Sequence, residues 1–156
     1  MIFSTKAEYG VRLMVELGRQ EGETPVPLSL VANQEQLPLA YLEHLVAKLR
    51  KAGLVTSTRG AHGGYRLARP AKQIRMDEVV TALEGTIAPM ECFLEHPDGK
   101  VLCSHEEDGD RACSTKFLWT RVQGGMNKAL HGTTLAELVE FSSRRDPRPV
   151  MAGSAA

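Results

Sequence analysis

The sequence predicts a mainly α-helical fold with one small β-hairpin, and three observations predict it. Apolar residues recur at i, i+3, i+4 and i+7 in two stretches, Leu42/Leu45/Val46/Leu49 and Met76/Val79/Val80/Leu83, each one buried helix face. Between them, two short extended segments flank the glycine-rich turn Arg59-Gly60-Ala61-His62-Gly63-Gly64, the pattern of a hairpin. Threonine and glutamate stand at capping-box spacing twice, as Thr5–Glu8 and Thr134–Glu137, marking a first and a last helix.

The elements follow in order. Residues 5–17 form the first helix, with Val11, Leu13, Met14 and Leu17 as its apolar face and Gly18 as its C-terminal cap. A polar connection from Gln20 to Pro25 leads to a short helix over 28–35. Pro38 suits the first turn of the next helix, 38–52, where its missing N–H is not needed, and Gly53 caps the end. Residues 54–58 and 65–68 are the hairpin strands. A helix carries the second apolar stripe. Residues 85–113 have no sustained period and hold all three cysteines, and a loop of that length is functional or disordered. A helix over 114–130 bears Phe117, Leu118, Val122, Met126 and Leu130, interrupted in pattern by Gly124-Gly125. The last helix spans 134–144, and 146–156 reads as a disordered tail.

Short helix, tight turn, longer helix and hairpin is the layout of a winged helix-turn-helix. In that layout the second helix of the pair reads base edges through its N-terminal residues, which here include Ala40, Tyr41, Glu43 and His44. A glutamate accepts from cytosine N4, and a histidine donates or accepts. Arg59 and His62 stand in the wing turn, and an arginine there suits a narrow minor groove. Arg50 and Lys51 belong to a basic block, eight Lys and Arg between Glu43 and Arg75, fit for phosphate contact. Eight acidic residues lie between Glu84 and Ala112 and surround the cysteines. The charges balance, 19 against 19, so the distribution rather than the net charge points to nucleic acid.

Ten residues separate Cys92 from Cys103, and nine separate Cys103 from Cys113. Zinc ribbons pair cysteines two to four apart, so this is not one. Soft thiolates select iron–sulfur clusters, zinc or copper(I), and a thiol redox switch fits the same spacing. An odd cysteine number, the absence of a signal-peptide layout and the absence of a long apolar run lead to an expectation of a cytoplasmic protein without membrane contact. No Ser/His/Asp arrangement, phosphate-binding glycine loop or acid/base carboxylate pair stands out, so an enzyme with a small-molecule substrate is not expected.

The chain resembles the IscR/NsrR family of bacterial winged-helix iron–sulfur regulators. The resemblance rests on Ser4–Gly10, Tyr41-Leu42-Glu43, Leu49–Val55, Arg59–Tyr65 and Thr134–Leu138, and spans about residues 1–142. It implies a homodimer on a pseudo-palindromic double-stranded DNA operator, with Glu43, His44 and Arg59 near bases. It also implies a [2Fe–2S] or [4Fe–4S] cluster on Cys92, Cys103 and Cys113, three of the usual four ligands. IscR-like members place a histidine where this chain has Lys116, and an ammonium has no lone pair to give. NsrR-like members use an aspartate of the other subunit, at the position of Glu8. Glu8 from the partner subunit is therefore the implied fourth ligand, His105 is its rival on local reach, and a helix cap is the metal-free account of Glu8. His62 departs from the proline or glycine usual in the family wing.

The expected division is residues 1–84 as DNA-binding domain, with the first helix also packing on the dimer core. Residues 85–113 then hold the cluster, and 114–145 form the dimerisation helix and C-terminal helix. The expected function is a regulator, a repressor, sensing iron–sulfur status, redox or nitric oxide. The alternatives are a winged-helix regulator using zinc or thiol oxidation, and a cluster carrier that does not bind DNA.

Overall fold

The computed structural model describes residues 3–20, 22, 24–88 and 113–144. Cys92, Cys103, His105 and the expected tail lie outside these residues. Helices α1 (Thr5–Arg19), α2 (Leu28–Glu35) and α3 (Leu39–Lys51) are followed by strands β1 (Val55–Thr58) and β2 (Gly64–Leu67). A 3-10 turn (Ala71–Gln73) precedes α4 (Met76–Glu84), α5 (Ser114–Gly132) and α6 (Leu135–Ser143). This is a winged helix-turn-helix with two further helices. Among the described residues no helix is long and apolar enough to cross a membrane.

One core holds these elements. The α3 stripe Leu42, Leu45, Val46 and Leu49 is buried against Leu13, Met14 and Leu17 of α1, with Leu54, Ile74, Val79, Leu83 and Leu135 closing around them. Each such side chain contributes about 2 kcal/mol by leaving water. Helix α1 is the hub and packs on α2, α3, α4 and α6. It comes so close to α4 that a Cβ on Gly10 would sit 2.2 Å from Leu83 Cδ1.

Recognition helix and wing are joined by a very short link. The Gly53 amide donates to Arg50 O and the Leu54 amide to Leu49 O, both at 3.0 Å. This is a Schellman ending, with Gly53 at φ +73 as it requires. The antiparallel strands pair Val55 with Leu67 at the root and Thr58 with Gly64 near the tip. Val26 adds a bridge to Tyr65, and a Cβ on Gly64 would lie 2.4 Å from Val26 O. Gly64 is thus required by the wing's own packing rather than by approach to DNA.

Two expectations for α1 are corrected. Gly18 does not end the helix: it is buried inside it, facing Val139 of α6, and the C-terminal cap is Gln20. Thr5 and Glu8 do not form a capping box. The cap is Ser4, whose Oγ accepts the Lys6 amide at 3.1 Å. A distant carboxylate, Glu84 at the end of α4, completes it by accepting from Ser4 N at 2.8 Å, Ser4 Oγ at 2.7 Å and Ala7 N at 3.3 Å. The Thr134–Glu137 box does form and starts α6. Pro38 precedes α3 as its N-cap instead of occupying its first turn. Each strand lies within one residue of its predicted span.

Helix α5 stays helical through Gly124-Gly125 and runs two residues past the expected end. None of its residues is buried. Its C-terminal half is tied to the domain by Arg75 Nη1, which donates to His131 O at 2.7 Å, by His131 Nδ1 at 2.7 Å from Asp77 Oδ2, and by half-buried Leu130. Its N-terminal half leaves Phe117 67% and Leu118 55% exposed.

Candidate nucleic-acid interface and cysteine site

The side chains of α3 divide by role. Ala40, Glu43 and His44 are exposed on the side opposite the buried stripe, and Leu39 at the helix start is exposed as well. Tyr41 is half-buried against α1: its ring meets Tyr9 edge-on at 5.7 Å, and its hydroxyl lies 3.5 Å from Thr5 Oγ1. Tyr41 therefore ties the recognition helix to α1, and its ring is engaged in that packing. Arg59 and His62 are exposed in the turn between the strands.

The basic block is partly spent inside the fold. Lys48 Nζ donates to Leu83 O at 3.1 Å, Arg69 pairs with Glu78, and Arg75 holds His131 O. Arg50 Nη1 donates to Ser57 Oγ at 3.3 Å, bridging α3 to β1. Lys51, Arg59 and Arg66 are exposed, and no partner is found for them among the described residues. A count of basic residues in the sequence could not separate these groups, because their partners lie on other elements.

Of the cysteine site, Cys113 is described. It is half-exposed and caps α5, with its Sγ accepting the Lys116 amide at 3.4 Å. Its sulfur thus stands at the N-terminal end of α5. The Lys116 side chain is exposed. Among the described residues no three His, Cys, Asp or Glu side chains converge. Glu8 is exposed and paired with Arg12 at 3.0 Å. It lines an apolar groove with Phe3, Ala7, Val11, Val80 and Leu130, so its carboxylate is free of any capping duty.

The residue that sequence reasoning missed is Glu84. Burial alone would raise its pKa, but the hydrogen bonds from the Ser4 hydroxyl, the Ser4 amide and the Ala7 amide, with Lys6 nearby, hold it below the ordinary carboxylate value. No local spacing announces a contact between residues 80 apart in the chain.

A buried helix-turn-helix brace, an open polar face on α3 and an arginine-tipped wing define a winged-helix DNA-binding regulator. The chain belongs to the Rrf2 family, described as iron-dependent transcriptional regulators, whose model matches residues 3–141. It is 37% identical to protein rrf2 of Nitratidesulfovibrio vulgaris over 92% of this chain and 90% of that protein. Its fold matches the solved structure of CymR, the global cysteine regulator of Bacillus subtilis, with a TM-score of 0.73 and 36% identity, covering 90% of this chain and 98% of that one. The structure of T. potens IscR gives a TM-score of 0.71 at 35% identity, covering 92% and 89%. Two further relatives at 37% identity, CymR of Bacillus subtilis and IscR of Sodalis glossinidius, carry the name HTH-type transcriptional regulator.

Proposed function

We propose that this chain is a dimeric repressor that reads a pseudo-palindromic operator and releases or engages it according to the state of an iron–sulfur cluster. The observation that carries the DNA reading is the division of polar side chains. Glu43, His44, Lys51 and Arg59 are exposed on α3, its end and the wing turn, while Lys48, Arg69 and Arg75 are engaged inside the fold. Glu43 and His44 meet base edges in the major groove, and Arg59 enters the adjacent minor groove. Ala40 and His62 border these contacts, and Arg50 and Lys51 face phosphate. Arg59→Ala is expected to weaken operator binding and relax preference at AT-rich steps. Lys51→Ala is expected to weaken binding evenly across sequences and to reduce the salt slope by about one. Titrations of both variants on a panel of sites, at several salt concentrations, check this; identical profiles would count against separate roles.

The dimer forms through α5. Phe117, Leu118 and Val122 are an exposed apolar set on the half of the helix that leaves the domain. A second copy of α5, antiparallel, brings them over the groove lined by Val11, Val80 and Leu130. That pairing also carries Cys113 towards the partner's Glu8.

The cluster is held by Cys92, Cys103 and Cys113, with the partner's Glu8 as fourth ligand and His105 as the alternative. The description of the family as iron-dependent supports iron over zinc, and the likeness to Staphylococcus aureus CymR, whose structure was solved in an oxidized form, keeps thiol oxidation as the second reading. When bound, a cluster of this kind supplies a reactive centre open to oxygen, peroxide or nitric oxide. The chain's part is to supply three thiolates, Cys113 among them at the start of α5, and to carry a carboxylate at the start of α1. An oxygen ligand makes that corner the labile one. Anaerobic purification is expected to give a brown protein with iron and sulfide. Glu8→Gln should change the visible spectrum or its decay in air while the circular dichroism stays the same. A colourless protein with zinc, or with a disulfide, would replace the cluster reading. An unchanged Glu8→Gln together with cluster loss in His105→Ala would move the fourth ligand to His105.

A further inference from the structure

A second concave site lies at the root of the wing. It is a cleft of about 290 Å³ between the end of α1, the wing strands and the chain leading to the 3-10 turn. Gln20, Thr56, Arg66 and Arg69 supply its polar lining, and Leu17 and Pro70 are among its apolar walls. Two features make it more than a surface dent.

The first is an unsatisfied donor. Arg69 is anchored by Glu78, but Glu78 does not close a two-pronged pair with it. One carboxylate oxygen of Glu78 takes Arg69 Nη2, and the other accepts the Arg75 amide at 3.2 Å. Arg69 Nε is left buried with no acceptor among the described residues. Buried donors are almost always paired, so such a group calls for a missing acceptor. The second feature is Arg66. It pairs across the strands with Thr56, putting both side chains on one face of the hairpin. It is exposed and meets no partner among the described residues. Arg66 and Arg69 both line the cleft, and of the two only Arg69 is paired with a carboxylate, Glu78, among the described residues, which leaves the Arg66 charge uncompensated beside a partly enclosed, partly apolar space.

We propose that this cleft binds a small organic oxyanion, a carboxylate or phosphate on a compact carbon skeleton. Guanidinium forks match such groups geometrically. The volume lies at the small end of ligand sites, enough for a molecule of amino-acid size. Thr56 and Arg66 are one register step from the root pair Val55–Leu67 and two from the tip pair Thr58–Gly64. A ligand here therefore clamps the end of α1 to the wing root without occupying the tip. The site would let a metabolite set how firmly α1 is held to the wing root.

The test uses the full chain without DNA, with inorganic phosphate and succinate as probes at millimolar concentration and chloride matched for ionic strength. A saturable rise in melting temperature is expected with at least one probe, together with amide shifts at Gln20, Thr56 and Arg66 by NMR. Arg66→Gln, at an exposed position, should fold normally and weaken the response at least tenfold. Arg69→Lys should weaken it too, while keeping the anchor to Glu78. Absence of saturation with both probes overturns the proposal, as does an equal response in Arg66→Gln. If Arg66→Gln lowers affinity for DNA but the free protein takes up neither probe, Arg66 contacts backbone phosphate and the proposal fails.

Discussion

Leu118→Glu is expected to give a folded monomer whose operator affinity is about 10²- to 10⁴-fold lower, the loss that accompanies separating two linked half-site contacts. Leu118 is 55% exposed and belongs to a helix without a buried residue, so the domain does not need its side chain. In the proposed dimer it leaves water twice, once from each copy, and burial of a leucine contributes about 2 kcal/mol each time. A glutamate there forfeits that and places two like charges in an apolar seam. Glutamate is also a good helix former, so α5 itself persists. Sedimentation at micromolar concentration, circular dichroism and an operator titration measure the three parts. A dimer of unchanged strength would place the interface elsewhere.

Glu84→Ala is expected to cost about 2 kcal/mol of stability, because one carboxylate serves three donors at the start of α1. Glu84→Gln is the sharper variant, since it retains size and removes charge. The folded pKa is lowered from 4.5, so the native state holds the proton less tightly than the unfolded chain. The contribution is therefore fully present at neutral pH and is lost as pH falls from about 4.5 through the lower folded value. Urea midpoints of the native protein and Glu84→Gln should differ at pH 7 and converge on acidification. A gap that is the same at pH 7 and below pH 4 would mean that the charge is not what matters. Operator binding should weaken along with α1, since Thr5 and Tyr9 of that helix hold Tyr41 on the recognition helix.

Much of the architecture was legible because it is periodic or local. The Leu42–Leu49 stripe, the turn from Arg59 to Gly64 and the Thr134–Glu137 box each declare themselves within eight residues, and each stands where the pattern put it. The errors share a cause. Thr5 and Glu8 have the right spacing for a box, but Ser4 and Glu84 offer the α1 amides a better set of acceptors. Gly18 looks like a helix end because glycine is a poor helix residue, yet packing on Val139 outweighs that preference. The basic block reads as one surface in the sequence, while Lys48 and Arg75 turn to carbonyls that only the folded chain brings near. The pairing of Tyr41 with Tyr9 is likewise a tertiary fact that no local pattern announces.

The link between α3 and the wing has a consequence for the operator itself. Only Ala52, Gly53 and Leu54 separate the helix from β1, and Arg50–Ser57 braces the joint from outside. The two probes that would enter neighbouring grooves are thus fixed to one rigid calliper. The offset along the duplex between the bases proposed for Glu43 and His44 and the step proposed for Arg59 is then a constant of the protein. An inserted base pair inside a half-site turns the second contact away by about a tenth of a helical turn, and the calliper has no hinge with which to follow. The permitted variation should instead collect between the half-sites, where the proposed α5 pairing sets the distance.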